Sequence, residues 1–189
     1  MFARILDRQR VLLGLAVAAL ITAGLVGVAG SSSAAPAAAG GAALAADGTS
    51  YSPVPPEIRV PPGNRLVARL DGQGVQVYQC TAGAWAFLEP VAQLSDRSPA
   101  AIHFRGPSWE SIRDGSLVEA ATVASSPVAG SIPQLLLQET TTRGDGIFGS
   151  VTYIQRLRTT GGVKPTTACT DGQTQGVPYT AEYRFYVQS

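Results

Sequence analysis

Lysine is almost absent: Lys164 stands alone among the 14 basic residues, the rest being arginine. Over residues 57–189 eleven acidic side chains balance eleven basic ones, and no run of positive charge occurs. That removes the electrostatic footprint of a nucleic-acid binder. Histidine is limited to His103, and cysteine to Cys80 and Cys169. Neither cysteine has a second one within three residues, so there is no C-x-x-C redox pair. These three side chains are also too few, and too irregularly spaced, for a zinc site. No G-x-G-x-x-G joins a strand pattern to a helix pattern, and G-K-[ST] is missing, which leaves dinucleotide and phosphate-loop enzymes without support. No cofactor and no metal are expected, and no repeat at a fixed period is found.

What is present begins with a leader. Arg4, Arg8 and Arg10 precede a stretch from Val11 to Ala29 without one charged side chain. A positive segment followed by an apolar one reads as a secretory signal, and Gly27, Val28 and Ala29 before Gly30 offer an A-x-A-like processing site. The apolar run also has the length to span a bilayer. Residues 1–29 are therefore read as a signal peptide or an N-terminal membrane anchor, and residues 11–29, if uncleaved, as the sole membrane contact. No cysteine follows the run, which excludes lipid attachment there. Residues 30–56 turn to Ala, Gly, Ser and Pro with only Asp47 charged. Nothing in them forms an apolar face that offsets the entropy of ordering, so they read as a disordered linker.

Residues 57–189 are enough for one hydrophobic core and too few for two. In an exported chain Cys80 and Cys169 most simply form one disulfide. Arg65 to Leu70 alternates and meets Asp71-Gly72 and Gly74, which predicts a hairpin into a strand from Val75 to Cys80. Thr81 to Gly83 then turns the chain into a strand at Trp85 to Leu88. Further strands are expected at 101–104, 117–123 and 151–158. The clearest pattern is the last, where Tyr179, Ala181, Tyr183, Phe185 and Val187 fall on one face and Thr180, Glu182 and Arg184 on the other. Pro133 to Leu137 reads either as a short helix or as a buried strand. Closely spaced turn residues leave little room for long helices. The fold class is mainly β, an antiparallel β-sandwich or a small closed β-barrel with at most one short helix.

The densest chemistry lies in His103-Phe-Arg-Gly-Pro-Ser-Trp109-Glu110 and Asp114-Gly-Ser116. As a hydrolase, this stretch would use His103 as base, Asp114 or Glu110 to orient it, and Ser108 or Ser116 as nucleophile. Ser108 lacks the glycines of a nucleophile elbow. Glu110, Asp114 and Glu119 could also pair as glycosidase carboxylates, though their spacing in a loop fixes no distance. As a binding module, it would use Trp109 with Arg105, His103 and Asp114 to hold a glycan or other small ligand. Trp109 follows Gly-Pro and is expected to be exposed, whereas Trp85, beside Phe87, is expected in the core. Asp145 and Asp171 in Gly-Asp-Gly and Asp-Gly-Gln are turn signals before they are calcium ligands.

Gly74-Val-Gln-Val-Tyr-Gln-Cys80, Trp85, Pro90, His103-Phe-Arg-Gly-Pro-Ser-Trp109, Asp114-Gly-Ser116, Ile132-Pro-Gln-Leu-Leu-Leu137, Tyr153-Ile-Gln-Arg156, Thr160-Gly-Gly162, Pro165, Cys169 and Tyr179-Thr-Ala-Glu-Tyr-Arg-Phe-Tyr186 occur in this order. The combination resembles the exported family DUF3455 over the whole stretch after Pro56. The resemblance implies a secreted domain of about this size, with no activity to carry over. A malate dehydrogenase label borne by some fungal relatives has no counterpart here, since the nicotinamide-binding fingerprint is missing. Gln134 stands where many relatives are expected to have tryptophan after Ile-Pro, which weakens any aromatic platform in that segment. The resulting expectation is a secreted or extracellular β domain, possible at the cell surface, that is non-catalytic. Its partner would be a cell-wall glycan, a small ligand or a surface protein.

Overall fold

The period-two alternation of residues 179–187 dictates a strand with one dry face, and around that strand the chain closes a ring. A computed structural model describes residues 53–189, so the leader and residues 30–52 of the linker lie outside the described residues. Eight strands follow a 3₁₀ turn at Pro56–Ile58. They are β1 (Asn64–Thr81), β2 (Ala84–Ser95), β3 (Pro99–Phe104), β4 (Ser108–Ser111), β5 (Leu117–Val128), β6 (Ser131–Arg143), β7 (Val151–Gly161) and β8 (Thr174–Gln188). Each pairs antiparallel with the next, and β8 returns to pair with β1, which makes a closed up-and-down barrel. Closure gives every strand a partner on both sides, though β2 and β5 run on past the ends of β3 and β4. Of the two architectures expected, the barrel is the one formed.

The inward face of β8 supplies much of the core: Tyr179, Ala181, Tyr183, Phe185 and Val187 are all buried. They pack with Leu70, Leu94, Trp109, Val118, Leu137, Phe148 and Ile154 from the other strands and one loop. On the outer face of the β1–β8 seam, buried Glu182 accepts Arg69 at 2.5 Å, Arg158 at 2.9 Å and Arg184 at 2.6 Å. A second, smaller cluster joins Ile58 to Leu136 and Leu157, with Val54 packed against it. Gln155 Nε2 donates to the Ile58 carbonyl oxygen at 2.6 Å, which fixes the N-terminal segment to the outside of the barrel.

The hairpin expected at Asp71-Gly72 does not form, because β1 runs unbroken through it. Its glycines serve close packing instead of turning. A Cβ on Gly72 would stand 2.7 Å from the Tyr183 ring, and one on Gly74 only 2.1 Å from the Val91 carbonyl oxygen. The first true hairpin is at Ala82-Gly83, both with positive φ, where Thr81 pairs with Ala84. Residues 133–137 are strand, not helix, and lie within β6.

Hairpin lengths decide where the barrel opens. Ala92 pairs with His103, and from there β2 continues back to Ala84, about 25 Å along the strand, while β3 ends at Phe104. On the other side Trp109 pairs with Val118, and β5 continues to Val128. The short β3–β4 turn at Arg105-Gly106-Pro107, whose Gly106–Pro107 peptide is cis, therefore forms the floor of a notch between two long hairpins.

Candidate functional site

A cavity of about 440 Å³ occupies this notch and reaches into the barrel. That volume falls within the range of small-ligand sites. Exposed Phe87 and Arg105 stand among its lining residues, and buried Trp109, His103 and Tyr183 form its inner part. Two tight cross-strand arrangements build that inner part. His103 and Trp109 are partners across the β3–β4 turn, with rings stacked at 4.3 Å and 6°. Tyr183 meets both rings edge-on, at 5.4 Å from His103 and 5.8 Å from Trp109. Such offset and T-shaped aromatic pairs are favourable beyond the area they bury.

His103 Nδ1 lies 2.9 Å from the Ser108 carbonyl oxygen, which can only accept, so Nδ1 carries the proton and Nε2 is a bare acceptor. Burial drives its pKa from 6.5 down to about 3; the Ser108 hydrogen bond opposes this and the nearby Arg156 charge adds to it. His103 is thus neutral at any ordinary pH. Burial also raises Tyr78, Tyr179 and Tyr183, so the phenols keep their protons. Tyr179 and Tyr183 hydroxyls share a hydrogen bond of 3.1 Å, and Tyr78 donates to the Gly162 carbonyl oxygen at 2.7 Å.

Arg156 gives the cavity its charge. Its Nε and Nη2 donate to the Pro133 carbonyl oxygen at 3.1 and 3.0 Å, and no described carboxylate pairs with it. Its Cα partners are Leu135 on β6 and Tyr183 on β8. No Asp or Glu lines the cavity. Two buried donors in the wall also lack partners: Trp109 Nε1, and Gln76 Nε2, which lies beside Tyr179 but outside hydrogen-bond geometry. Buried polar groups are nearly always paired, so two orphans in one cavity wall call for an explanation.

The residues singled out in the sequence divide between two ends of the barrel. His103, Trp109 and Arg105 come together around the cavity, with Arg105 Nε 3.3 Å from Glu89. Trp109, expected to be exposed, is only 1% exposed. The turn at residues 105–107 is so tight that the chain is back in a strand by Ser108. Asp114 sits in the β4–β5 loop, at the opposite end. Its carboxylate accepts from Ser116 Oγ at 2.6 Å, Ser116 N at 2.9 Å and Ile147 N at 3.1 Å. Those bonds, led by the Ser116 hydroxyl, lower its pKa to about 2. Glu110 points away from Trp109 and pairs with Arg143 at 2.7 Å. Neither carboxylate lines the cavity, and Ser108 Oγ is committed to the Arg105 carbonyl oxygen at 2.9 Å. The base, orienting acid and nucleophile of the hydrolase reading are therefore not brought together.

Cys80 and Cys169 are bonded, at the cavity end of the barrel. With Tyr78, Trp85 and Val177 they form a separate cluster that secures the β7–β8 loop. Trp85 is buried there as expected, its Nε1 donating to the Thr167 carbonyl oxygen at 2.9 Å. Asp171 Oδ1 accepts Gly83 N at 2.8 Å, a turn role. Among the described residues no group of three or more His, Cys, Asp or Glu side chains converges, and no helix is long and apolar enough to cross a membrane.

Sequence reasoning missed Arg156, Gln76 and Tyr183 as site residues. Only an arginine two positions after Ile154, on the apolar phase of β7, hinted at the first. Residues 98–187 match the DUF3455 family model, described as a protein of unknown function. The match spans β3 to β8 with His103, Trp109, Arg156 and Tyr183; β1 and β2 lie outside it. No curated protein and no solved structure matches the chain.

Proposed function

We propose that this chain is an exported, non-catalytic β-barrel domain that binds a small, ring-bearing ligand in the open end of its barrel. The observation that carries this reading is the aromatic cavity of about 440 Å³ in the notch above the β3–β4 turn. Eight-stranded barrels have room for side chains or for one small ligand, and here part of that room is unfilled. Trp109 supports a small ligand over a cell-wall glycan, because its ring is buried against His103 and offers no open face to a sugar. Export rests on the arginine-led apolar leader, and the Cys80–Cys169 bond fits an oxidising compartment.

The test is fluorescence titration with N-phenyl-1-naphthylamine, an uncharged ring probe that brightens in apolar surroundings. The intact chain should bind it saturably at one site. Leu135→Trp and Thr122→Phe, each placing bulk in the cavity lining, should weaken it at least about tenfold, a loss of 1.4 kcal/mol. Binding that is non-saturable, or unchanged in both variants, would place the probe elsewhere and remove the reading.

A further inference from the structure

Resting on that reading of the cavity, we infer that the ligand is an organic carboxylate, its ring or apolar body seated in the cavity and its charged end held by Arg156. Arg156 is fixed before any ligand arrives, since two of its five N–H groups already bond the Pro133 carbonyl oxygen. Three N–H groups remain to be shared between the Tyr183 hydroxyl, which the guanidinium also approaches, and the forked pairing that guanidinium makes with a carboxylate. A guanidinium that lines a largely apolar cavity without a described carboxylate is an unbalanced charge, and an anion entering the cavity balances it.

The rest of the wall agrees in sign. The lining holds two arginines and no acid, and the second, Arg105, is exposed at the rim and engaged with Glu89. The unpaired side-chain groups of the wall, Trp109 Nε1 and Gln76 Nε2, are both donors. A cation in the ligand would meet the Arg156 charge with no carboxylate in the lining to offset it. Neutral His103 adds no competing positive charge to the lining.

Competition against N-phenyl-1-naphthylamine separates charge from shape. The competitors are 1-naphthoate and its uncharged isostere 1-naphthamide, both on the intact, oxidised chain near neutral pH. The naphthoate should compete at least about tenfold better than the amide, as expected of a charge-assisted hydrogen bond. Arg156→Met should weaken the naphthoate about 10- to 100-fold and the amide by less than about threefold, with Arg156→Lys in between. Equal competition by acid and amide on the wild-type chain would overturn the inference and leave the ligand-site reading standing. A preference for the acid that survives in Arg156→Met would overturn it too. If the uncharged reporter itself fails to bind, both fall together. The wild-type comparison decides the question even if Arg156→Met does not fold.

Discussion

His103 is the only histidine in the chain, and its burial makes a quantitative forecast about acid stability. In the folded state its pKa lies at about 3, and once unfolded the imidazole returns to 6.5. Between those values the unfolded chain binds a proton that the folded chain does not. Stability is therefore intact above pH 6.5 and falls as the pH drops toward 3. The slope approaches about 1.4 kcal/mol per pH unit, and the whole window is worth about 5 kcal/mol. His103→Phe keeps a ring against Trp109 but leaves the Ser108 carbonyl oxygen without its donor. Near pH 7 that variant should be less stable by about 1–3 kcal/mol. Because it no longer carries the titrating group, the gap should close and then reverse as the pH falls through about 5. Urea unfolding of an untagged chain, at several pH values for both proteins, reads this directly. Comparing the two cancels the contribution of the lowered carboxylates of Glu57, Asp96 and Asp114, which also lose stability on acidification. Parallel pH profiles, or an imidazole NMR signal titrating near pH 6.5 in the folded chain, would refute the reasoning.

Gly74→Ala should destabilise the barrel by about 3 kcal/mol, at the upper end for overpacking, because its Cβ would meet backbone at 2.1 Å; an unchanged urea midpoint would mean that β1 and β2 do not approach so closely. Replacing Cys80 and Cys169 together by serine should cost about 4–5 kcal/mol in the chain-entropy model, since the bond closes a long loop, and should speed exchange of the Trp85 indole N–H. An unaltered melting temperature would show that the bond contributes nothing. Asp114→Ala removes three hydrogen bonds at the far end of the barrel and should lower stability by about 1–3 kcal/mol. N-phenyl-1-naphthylamine binding should stay as in wild type, and a loss of binding in a folded Asp114→Ala protein would connect that end to the site.

Strand identity was legible wherever one face is wet, as in residues 179–187, because burial on one side writes a period of two into the sequence. The choice between sandwich and barrel was not, since it depends on β1 pairing with β8 across most of the domain, and no local pattern encodes that partner. Asp71-Gly72 misled for a related reason. A glycine that opens room for the Tyr183 ring and a glycine that turns a hairpin look alike until the neighbouring strand is known. For the site, the Gly-Pro between His103 and Trp109 correctly marked a turn but hid its tightness, so Trp109 was read as exposed. Asp114 is only eleven residues from His103 in sequence, yet β4 carries the chain to the other end of the barrel in between. Arg156 and Gln76 come from strands far apart in sequence, and their shared cavity exists only once the ring is closed.

The most direct measurement is a ¹H–¹⁵N spectrum of the two tryptophan indoles during titration with 1-naphthoate, with Trp85→Phe to assign them. Trp109 belongs to the cavity lining and its buried Nε1 is unpaired, whereas Trp85 lies outside the lining with its Nε1 held by the Thr167 carbonyl oxygen. A ligand seated in the barrel should shift the Trp109 indole signal saturably and leave that of Trp85 in place. If the Trp109 signal stays fixed to the solubility limit of the naphthoate, or only Trp85 responds, the barrel interior is not the binding site.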